Sequence, residues 1–373
     1  MNPVTVETAF INGSERLLER GKQSLAGGDS STMRVLPYAL PLVADRASGS
    51  HLWDVDGHEF LDMNMAYGPL LFGHRQPFVV DAVIRQISEH GSQLGFPTEI
   101  SMKVAENVKQ LFPSMELMRF SSSGTEAIVS ALRLARCATG RSTIIAFEGN
   151  YHGSSDGAFH RYHAPLEQLP ACGFGPAIPG TMGMNGAPHD LIVCRAYDVD
   201  ALQDCVETHA DTLAGIILEP VQGNCGVIAP PEGFLHLLRE ITLDYDAMLI
   251  FDEVITGMRI APGGAQQKYE VTPDITTIAK VLGGGYPGSA FGASRELMEV
   301  VVDGTMFHGG VYSGNAACMA AANAMLERII ATQHQTYPYL YNLTDKLAAG
   351  LREVFARRGI PCVVQHVGPL LSL

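Results

Sequence analysis

Four stretches of the chain carry side chains whose types and spacing suit covalent and phosphate chemistry. Met248-Leu-Ile-Phe-Asp252-Glu253-Val254 runs from apolar residues into two carboxylates. An acidic residue at the carboxyl end of a buried parallel strand faces the crevice in which open α/β sheets bind ligands. Further on, Ile278-Ala-Lys280-Val-Leu-Gly-Gly-Gly sets one lysine among apolar residues. Desolvation there lowers the amine's pKa and frees it for Schiff-base formation. Ser121-Ser-Ser-Gly-Thr-Glu-Ala127 stands between a strand pattern and a periodic helix pattern. Backbone N–H groups at such a helix start bind phosphate, and Ser and Thr hydroxyls add donors. Glu148-Gly-Asn-Tyr151-His152-Gly153 follows a strand and offers an aromatic ring to a planar ligand. Each stretch also has a plainer assignment: Asp252 as a helix cap, Lys280 as a snorkelling surface lysine, Ser123 as an ordinary N-cap, Tyr151 as packing. Their combination shifts the balance toward a cofactor site.

The elements that must position these residues follow from apolar periodicity. A helix is expected over Phe10 to Leu25, ending at Gly27-Gly28, then a hairpin around Asp56-Gly57 within His51 to Asp62. Helices are expected over Val79 to Glu89 and Ile100 to Leu111. Short strands then alternate with helices: Leu117 to Phe120, helix Gly124 to Cys137, Thr143 to Phe147, Ile192 to Cys194, helix Val199 to Thr208, Gly215 to Leu218, helix Phe234 to Leu243, and Met248 to Phe251. That order predicts a mainly parallel sheet covered on both faces. Residues 149–190 show no period and read as an active-site loop or a mobile stretch. A strand over Ala290 to Ala293 and two long helices, Ala316 to Ile330 and Tyr339 to Arg358, complete the pattern. Pro361 to Leu373 reads as one strand and the start of another, an edge expected to be covered by a partner or by further residues.

Composition narrows the function. With 46% hydrophobic and 17% charged residues, the chain is globular rather than disordered, and its net charge of −14 repels polyanions, so nucleic acid is not an expected partner. The 7 cysteines are scattered, with no C-x-x-C spacing, which disfavours a disulfide framework and a zinc site and points to a reducing, cytoplasmic compartment. No metal is expected. The N-terminus lacks a signal-peptide pattern, no apolar run is long enough for a membrane span, and no membrane partner is expected.

The motifs occur in a telling order: Ser-Gly-Thr-Glu-Ala, Tyr-His-Gly, Glu219-Pro-Val-Gln-Gly-Asn224, Phe251-Asp-Glu-Val-Ile-Thr-Gly257, and Lys280 before three glycines. This set resembles the class III aminotransferases, which bind pyridoxal 5′-phosphate (PLP) on fold type I. Tyr67-Gly-Pro-Leu-Leu-Phe-Gly-His74 and Asp252-Glu-Val-Ile-Thr-Gly-Met-Arg259 are most similar to the glutamate-1-semialdehyde aminomutase branch. The resemblance implies an α/β fold: a large domain with a mainly parallel seven-stranded sheet flanked by helices, plus a small α+β domain from the terminal segments. The expected division is 1–62 (N-terminal helix and hairpin), 63–315 (large PLP-binding domain) and 316–373 (C-terminal helices opening the small domain).

By the same resemblance, Lys280 carries PLP as a Schiff base and shuttles a proton, Asp252 pairs with the pyridinium nitrogen, and Tyr151 stacks on the ring opposite Val254. Ser123, Gly124 and Thr125 hold the phosphate, and His152 and Asn224 belong to the cofactor site. Arg34, with Ser31 beside it and Tyr67, binds the substrate carboxylate, to which a planar guanidinium is suited. Val311 reaches the partner's cofactor phosphate in a homodimer with shared active sites, at a position where the family usually has Thr. Ser154 to Arg161 lacks the Ala-Gly-Ser-Gly stretch of the aminomutase, and the lid sequence differs, being Gly173 to Gly180 here. The expected activity is therefore transamination between a carboxylate-bearing amino acid and a keto or aldehyde acceptor. The aminomutase reaction is the alternative, with a racemase or a catalytically silent binding subunit further off. Intact Lys280, Asp252 and Tyr151 oppose the silent subunit.

Overall fold

The computed structural model describes residues 12–34, 42–165, 168, 170–184 and 190–373. The beginning of the expected first helix, at Phe10 and Ile11, lies outside them. The chain divides into two compact units, 1–80 and 81–373.

In the first unit, helix α1 (Asn12–Gly21) precedes a three-stranded antiparallel sheet, β1 (Ala44–Ser48), β2 (His51–Asp54) and β3 (Glu59–Leu61). The Asp-Gly hairpin is present between β2 and β3, and carboxylates organise it. Asp54 accepts from the Asp56 and His58 N–H groups at 3.0 and 2.8 Å. Asp56 in turn accepts from Gly13 N and Ser14 N at 2.7 and 2.9 Å, holding donors at the start of α1 that the helix cannot satisfy itself.

The second unit is built on an eight-stranded sheet. Its strands are β4 (Leu117–Ser121), β5 (Thr143–Phe147), β6 (Phe174–Pro176), β7 (Leu191–Cys194), β8 (Leu213–Leu218), β9 (Met248–Asp252), β10 (Ile275–Ile278) and β11 (Ser289–Ala293), in the order β4-β11-β10-β9-β8-β5-β7-β6. All run the same way except β6 and β11. Alternate residues of the central strands feed opposite cores, as the period of two requires. Ile144, Ala146, Ile217 and Ile250 pack with helix α4 (Gly124–Thr139). Ile145, Phe147, Ile216, Leu218, Leu249 and Phe251 pack with α5 (Val199–Thr208) and α6 (Phe234–Asp244). The parallel β8, β5 and β9 are buried along nearly their whole length, which is why they read as unbroken apolar runs.

Three expectations are corrected. The sheet has eight strands, not seven. The added edge strand is β6, inside the supposed lid and structureless stretch: Phe174 pairs with Cys194 and Pro176 with Ile192. A proline is tolerated there because an edge strand leaves one row of N–H positions unused. His160 also bridges to Pro179, and Arg161 N donates to Ile178 O at 2.8 Å, so this part of 149–190 is stitched down. The two C-terminal helices are one 43-residue helix, α9 (Ala316–Arg358), running through Pro338. It packs along α3 (Glu99–Leu111). On either side of the proline, Tyr337 Oη donates to Met258 O at 2.7 Å and Tyr341 Oη donates to Ile260 O, so both halves are tied to one loop. The expected helix over Val79 to Glu89 is α2 (Pro77–Arg85) followed by a wider, π-type turn over Gln86–His90.

The terminal residues form a hairpin, β12 (Gln365–Val367) with β13 (Leu370–Ser372). Val367 joins Val221, Val227, Ile260 and Ala265 in a small apolar cluster. No helix of the described residues is long and apolar enough to cross a membrane. Tyr337→Phe removes a buried hydrogen bond and leaves a carbonyl poorly satisfied, so it should cost about 1–3 kcal/mol of stability. Urea denaturation of the two proteins measures this.

Candidate active site

Five separate sequence stretches meet at the carboxyl end of the sheet. Asp252, the last residue of β9, is buried, and a lone buried carboxylate is costly unless paired. One oxygen accepts from His152 Nδ1 at 2.8 Å and the other from Val254 N at 3.1 Å. That contact draws the loop after β5 over the end of β9. Beside His152, Asn150 is buried and its side-chain oxygen accepts from Glu219 N at 2.7 Å, just past β8.

The start of α4 closes the other side. Ser123 caps it, accepting from Glu126 N at 3.3 Å, while the Glu126 carboxylate turns back to Ser122 N at 2.6 Å. Ser289 Oγ donates to Ser123 O at 2.7 Å, fixing this turn to β11. A Cβ placed on Gly124 would lie 3.1 Å from Val254 and 3.7 Å from Ala279, the neighbour of Lys280. A Cβ on Gly153 would lie 2.6 Å from Thr125 Oγ1, and Ser154 N donates to that hydroxyl at 3.3 Å. The glycines therefore let helix start, aromatic loop and lysine loop converge.

Lys280 opens a short turn after β10 with φ 45°, a left-handed conformation that non-glycine residues adopt at a cost. Burial pushes its amine below the usual lysine range, opposed by the charges of Glu219 and Asp252 and aided by Arg259. Glu219 is buried, and burial followed by the Asp252 charge pushes its carboxyl well up. Gly223 N at 3.1 Å, Lys280 and Asn224 Nδ2 at 3.2 Å act the other way. Tyr151 makes edge contacts with Tyr162 and Phe159, centroids 5.4 and 6.1 Å apart.

Residues 34–372 match the profile of the family described as "Aminotransferase class-III". The chain belongs to that family. Among curated relatives, the glutamate-1-semialdehyde 2,1-aminomutases of Persephonella marina and Desulfitobacterium hafniense (strain Y51) are 40% and 41% identical, each over 96% of this chain and 82% of their own length. Among solved structures, an omega-transaminase from Sphaerobacter thermophilus has a TM-score of 0.88 at 35% identity, covering 95% of this chain and 81% of its own. A glutamate-1-semialdehyde-aminomutase from Pseudomonas aeruginosa PAO1 has a TM-score of 0.84 at 28% identity, covering 95% and 78%. A further neighbour at 28% identity was solved with PLP bound.

This member of the class-III aminotransferase family thus brings together Ser123, Gly124, Thr125, Tyr151, His152, Asn224, Asp252, Val254 and Lys280. Val311 lies apart, 79% exposed, on the loop before α9, with its carbonyl accepting from Gln93. Ser31, Arg34 and Tyr67 belong to the first unit. There Arg34 pairs with Asp29 at 3.1 Å, Ser31 N donates to the same carboxylate at 3.0 Å, and Tyr67 Oη donates to Met33 O at 2.8 Å. Sequence reasoning placed no role on Glu219, Asn150 or Arg259. For Glu219 a signal existed, since it stands just past the end of β8 much as Asp252 ends β9.

The raised Glu219 pKa has a definite sign in stability. Above the usual glutamate value near 4.5 the folded state holds a proton that the unfolded state releases, so this group's contribution falls as pH rises. Glu219→Gln, uncharged and close in shape, should flatten that dependence and gain stability at pH 8 relative to pH 5.5. Denaturant midpoints at the two pH values test it; an unchanged slope would mean Glu219 is ionised in the fold.

Proposed function

We propose that the protein is a PLP-dependent amino-transfer enzyme whose reaction is the isomerisation of glutamate-1-semialdehyde to 5-aminolevulinate. The observation that carries the chemistry is the buried convergence of Lys280 with Asp252 and Glu219 beside the start of α4. This donor set fits PLP: a carboxylate for a ring nitrogen, an amine for its carbonyl, an aromatic side chain, and a helix start bearing hydroxyls for its phosphate. When bound, the cofactor supplies an electron sink that stabilises the carbanion left by a departing Cα proton.

The chain's own residues would do the rest. Asp252, braced by His152 and Val254 N, would pair with a protonated ring nitrogen. Lys280 Nζ, lowered by burial, accepts and returns the migrating proton. Ser123, Gly124 and Thr125 take the phosphate through N–H and hydroxyl donors, with Asn224 holding Glu219 in place. Tyr151 and Val254 flank the ring. Arg34, exchanging its Asp29 partner for substrate, receives the carboxylate, with Ser31 and Tyr67 beside it.

The substrate assignment is supported by relatives bearing the aminomutase name at 38–41% identity over 96–99% of this chain. It departs from the transamination expected from sequence, which keeps two supports. Ser154 to Arg161 lacks the Ala-Gly-Ser-Gly stretch, and the omega-transaminase is the neighbour with the TM-score of 0.88. Val311 and Phe96 line one open groove, and both are exposed, as Phe307 and Tyr312 are, apolar surface suited to a second copy of this chain in a homodimer.

Purified protein given glutamate-1-semialdehyde without an amino donor should form 5-aminolevulinate over many turnovers. No product, together with accumulation of the pyridoxamine form from an amino acid, would establish transamination instead. Borohydride reduction should place the pyridoxyl label on Lys280, and Lys280→Ala should abolish turnover. Arg34→Ala should raise KM roughly tenfold or more, the loss of a hydrogen bond to a charged group being about 1.5–3 kcal/mol.

A further inference from the structure

The first unit contains a strained turn that the proposed chemistry leaves unexplained. Met65, Ala66 and Tyr67 have φ of 48°, 57° and 63°, three successive non-glycine residues in the left-handed region, followed by Gly68 at 112°. Such residues persist where their surroundings over-determine them. Asp62 supplies that constraint. Its Oδ1 accepts from Asn64 N and Met65 N, both at 2.9 Å, and its Oδ2 accepts from His74 Nε2 at 2.6 Å. The Asp62 and His74 side chains are only 10% and 17% exposed, so the pair is little screened by solvent.

Both ends of the pair are anchored to the same turn between β1 and β2. Asp62 N donates to Ser50 O at 2.8 Å, and His74 exchanges two backbone bonds with Gly49 at 2.8 and 3.0 Å. Burial alone would raise the Asp62 carboxyl, but the bonds from His74, Met65 and Asn64 outweigh it and leave the group below its usual range. At the far end of the turn, Asn64 Oδ1 accepts from Tyr67 N at 2.6 Å, and the Tyr67 hydroxyl reaches Met33 O, next to Arg34.

We propose that Asp62 and His74 form a clasp that holds Met65–Tyr67 in its left-handed turn and thereby sets where Tyr67 and Arg34 meet the substrate carboxylate. The two are positioning residues for substrate affinity and selectivity, and the inference rests on the reading of Arg34 and Tyr67 given above. Without the clasp the turn relaxes toward ordinary backbone angles and Tyr67 leaves Met33.

The test is a split between KM and kcat in the holoenzyme. Asp62→Asn should raise KM for glutamate-1-semialdehyde, or for L-glutamate in the half-reaction, by about tenfold, the scale of one lost charged hydrogen bond. The kcat should stay within about twofold and the cofactor absorption spectrum unchanged. Adding Ala66→Gly to Asp62→Asn should recover part of the loss, because glycine accepts this conformation without a Cβ penalty. A merely structural role would lower kcat and melting temperature together and would gain nothing from the glycine. If Asp62→Asn fails to fold, His74→Gln, which keeps a donor but alters its reach, carries the same comparison. The proposal is overturned if Arg34→Ala raises KM while neither clasp variant does. If Arg34→Ala also leaves KM unchanged, the carboxylate reading itself fails and the clasp proposal with it.

Discussion

The buried carboxylate of Asp252 is the constraint around which the carboxyl end of the sheet is arranged. Strand β9 is apolar up to that residue, so the chain carries a charge into a place where charges are unstable unless paired. Meeting that need commits distant segments. The imidazole of His152 must come from the loop after β5, and the Val254 amide requires the chain to turn immediately after β9. Once His152 is placed, Asn150 falls against the end of β8 and Gly153 against Thr125 at the start of α4. A single electrostatic requirement therefore assembles groups far apart in sequence. His152 Nε2 is buried and has no hydrogen-bond partner among the described residues.

Around Asp252 the remaining ionisable groups are tuned by burial more than by each other. Burial is the largest influence on Glu219, Lys280 and Arg259 alike, pushing the acid up and the bases down, Arg259 to about 10. Each is moved toward its neutral form, though the arginine remains protonated at ordinary pH. Lys280 then feels two carboxyls that favour its charge and one guanidinium that opposes it. The carbonyls flanking Arg259, Met258 O and Ile260 O, accept from Tyr337 and Tyr341 on α9, and Tyr337 also works against the fall in the Arg259 pKa.

Much of this was legible in the sequence, and the physical reasons differ by element. Strands β5, β8 and β9 are buried on both faces, so their residues are apolar without alternation and stand out. The start of α4 was visible because Ser123 and Glu126 are a capping pair whose geometry is local. Strand β10 was not visible: two of its four residues are Thr276 and Thr277, and Thr276 is buried through bonds to Ser114 and Gln266 that no local pattern announces. The continuity of α9 was hidden for a similar reason. Pro338 disfavours a helix locally, and the phenols that hold both halves on one line act over about 80 positions of sequence. Glu219 was missed because its meaning depends on which strand β8 lies beside.

The first unit was least legible because a different kind of interaction shapes it. Its strands are short and only partly buried, so apolar periodicity carries little information there. Its turns are instead set by Asp54, Asp56, Asp62 and Asn64, each using a side-chain oxygen to satisfy backbone N–H groups nearby or at the start of α1. Such bonds compete with regular structure and select particular backbone angles. The angles at Met65 to Tyr67 are ones that the residue types themselves disfavour. Turns built this way can be reshaped by a single acidic or amide side chain. A sheet locked by apolar packing on both faces cannot be changed so locally, and this separates strands readable from apolar runs from turns that must be read from hydrogen bonds.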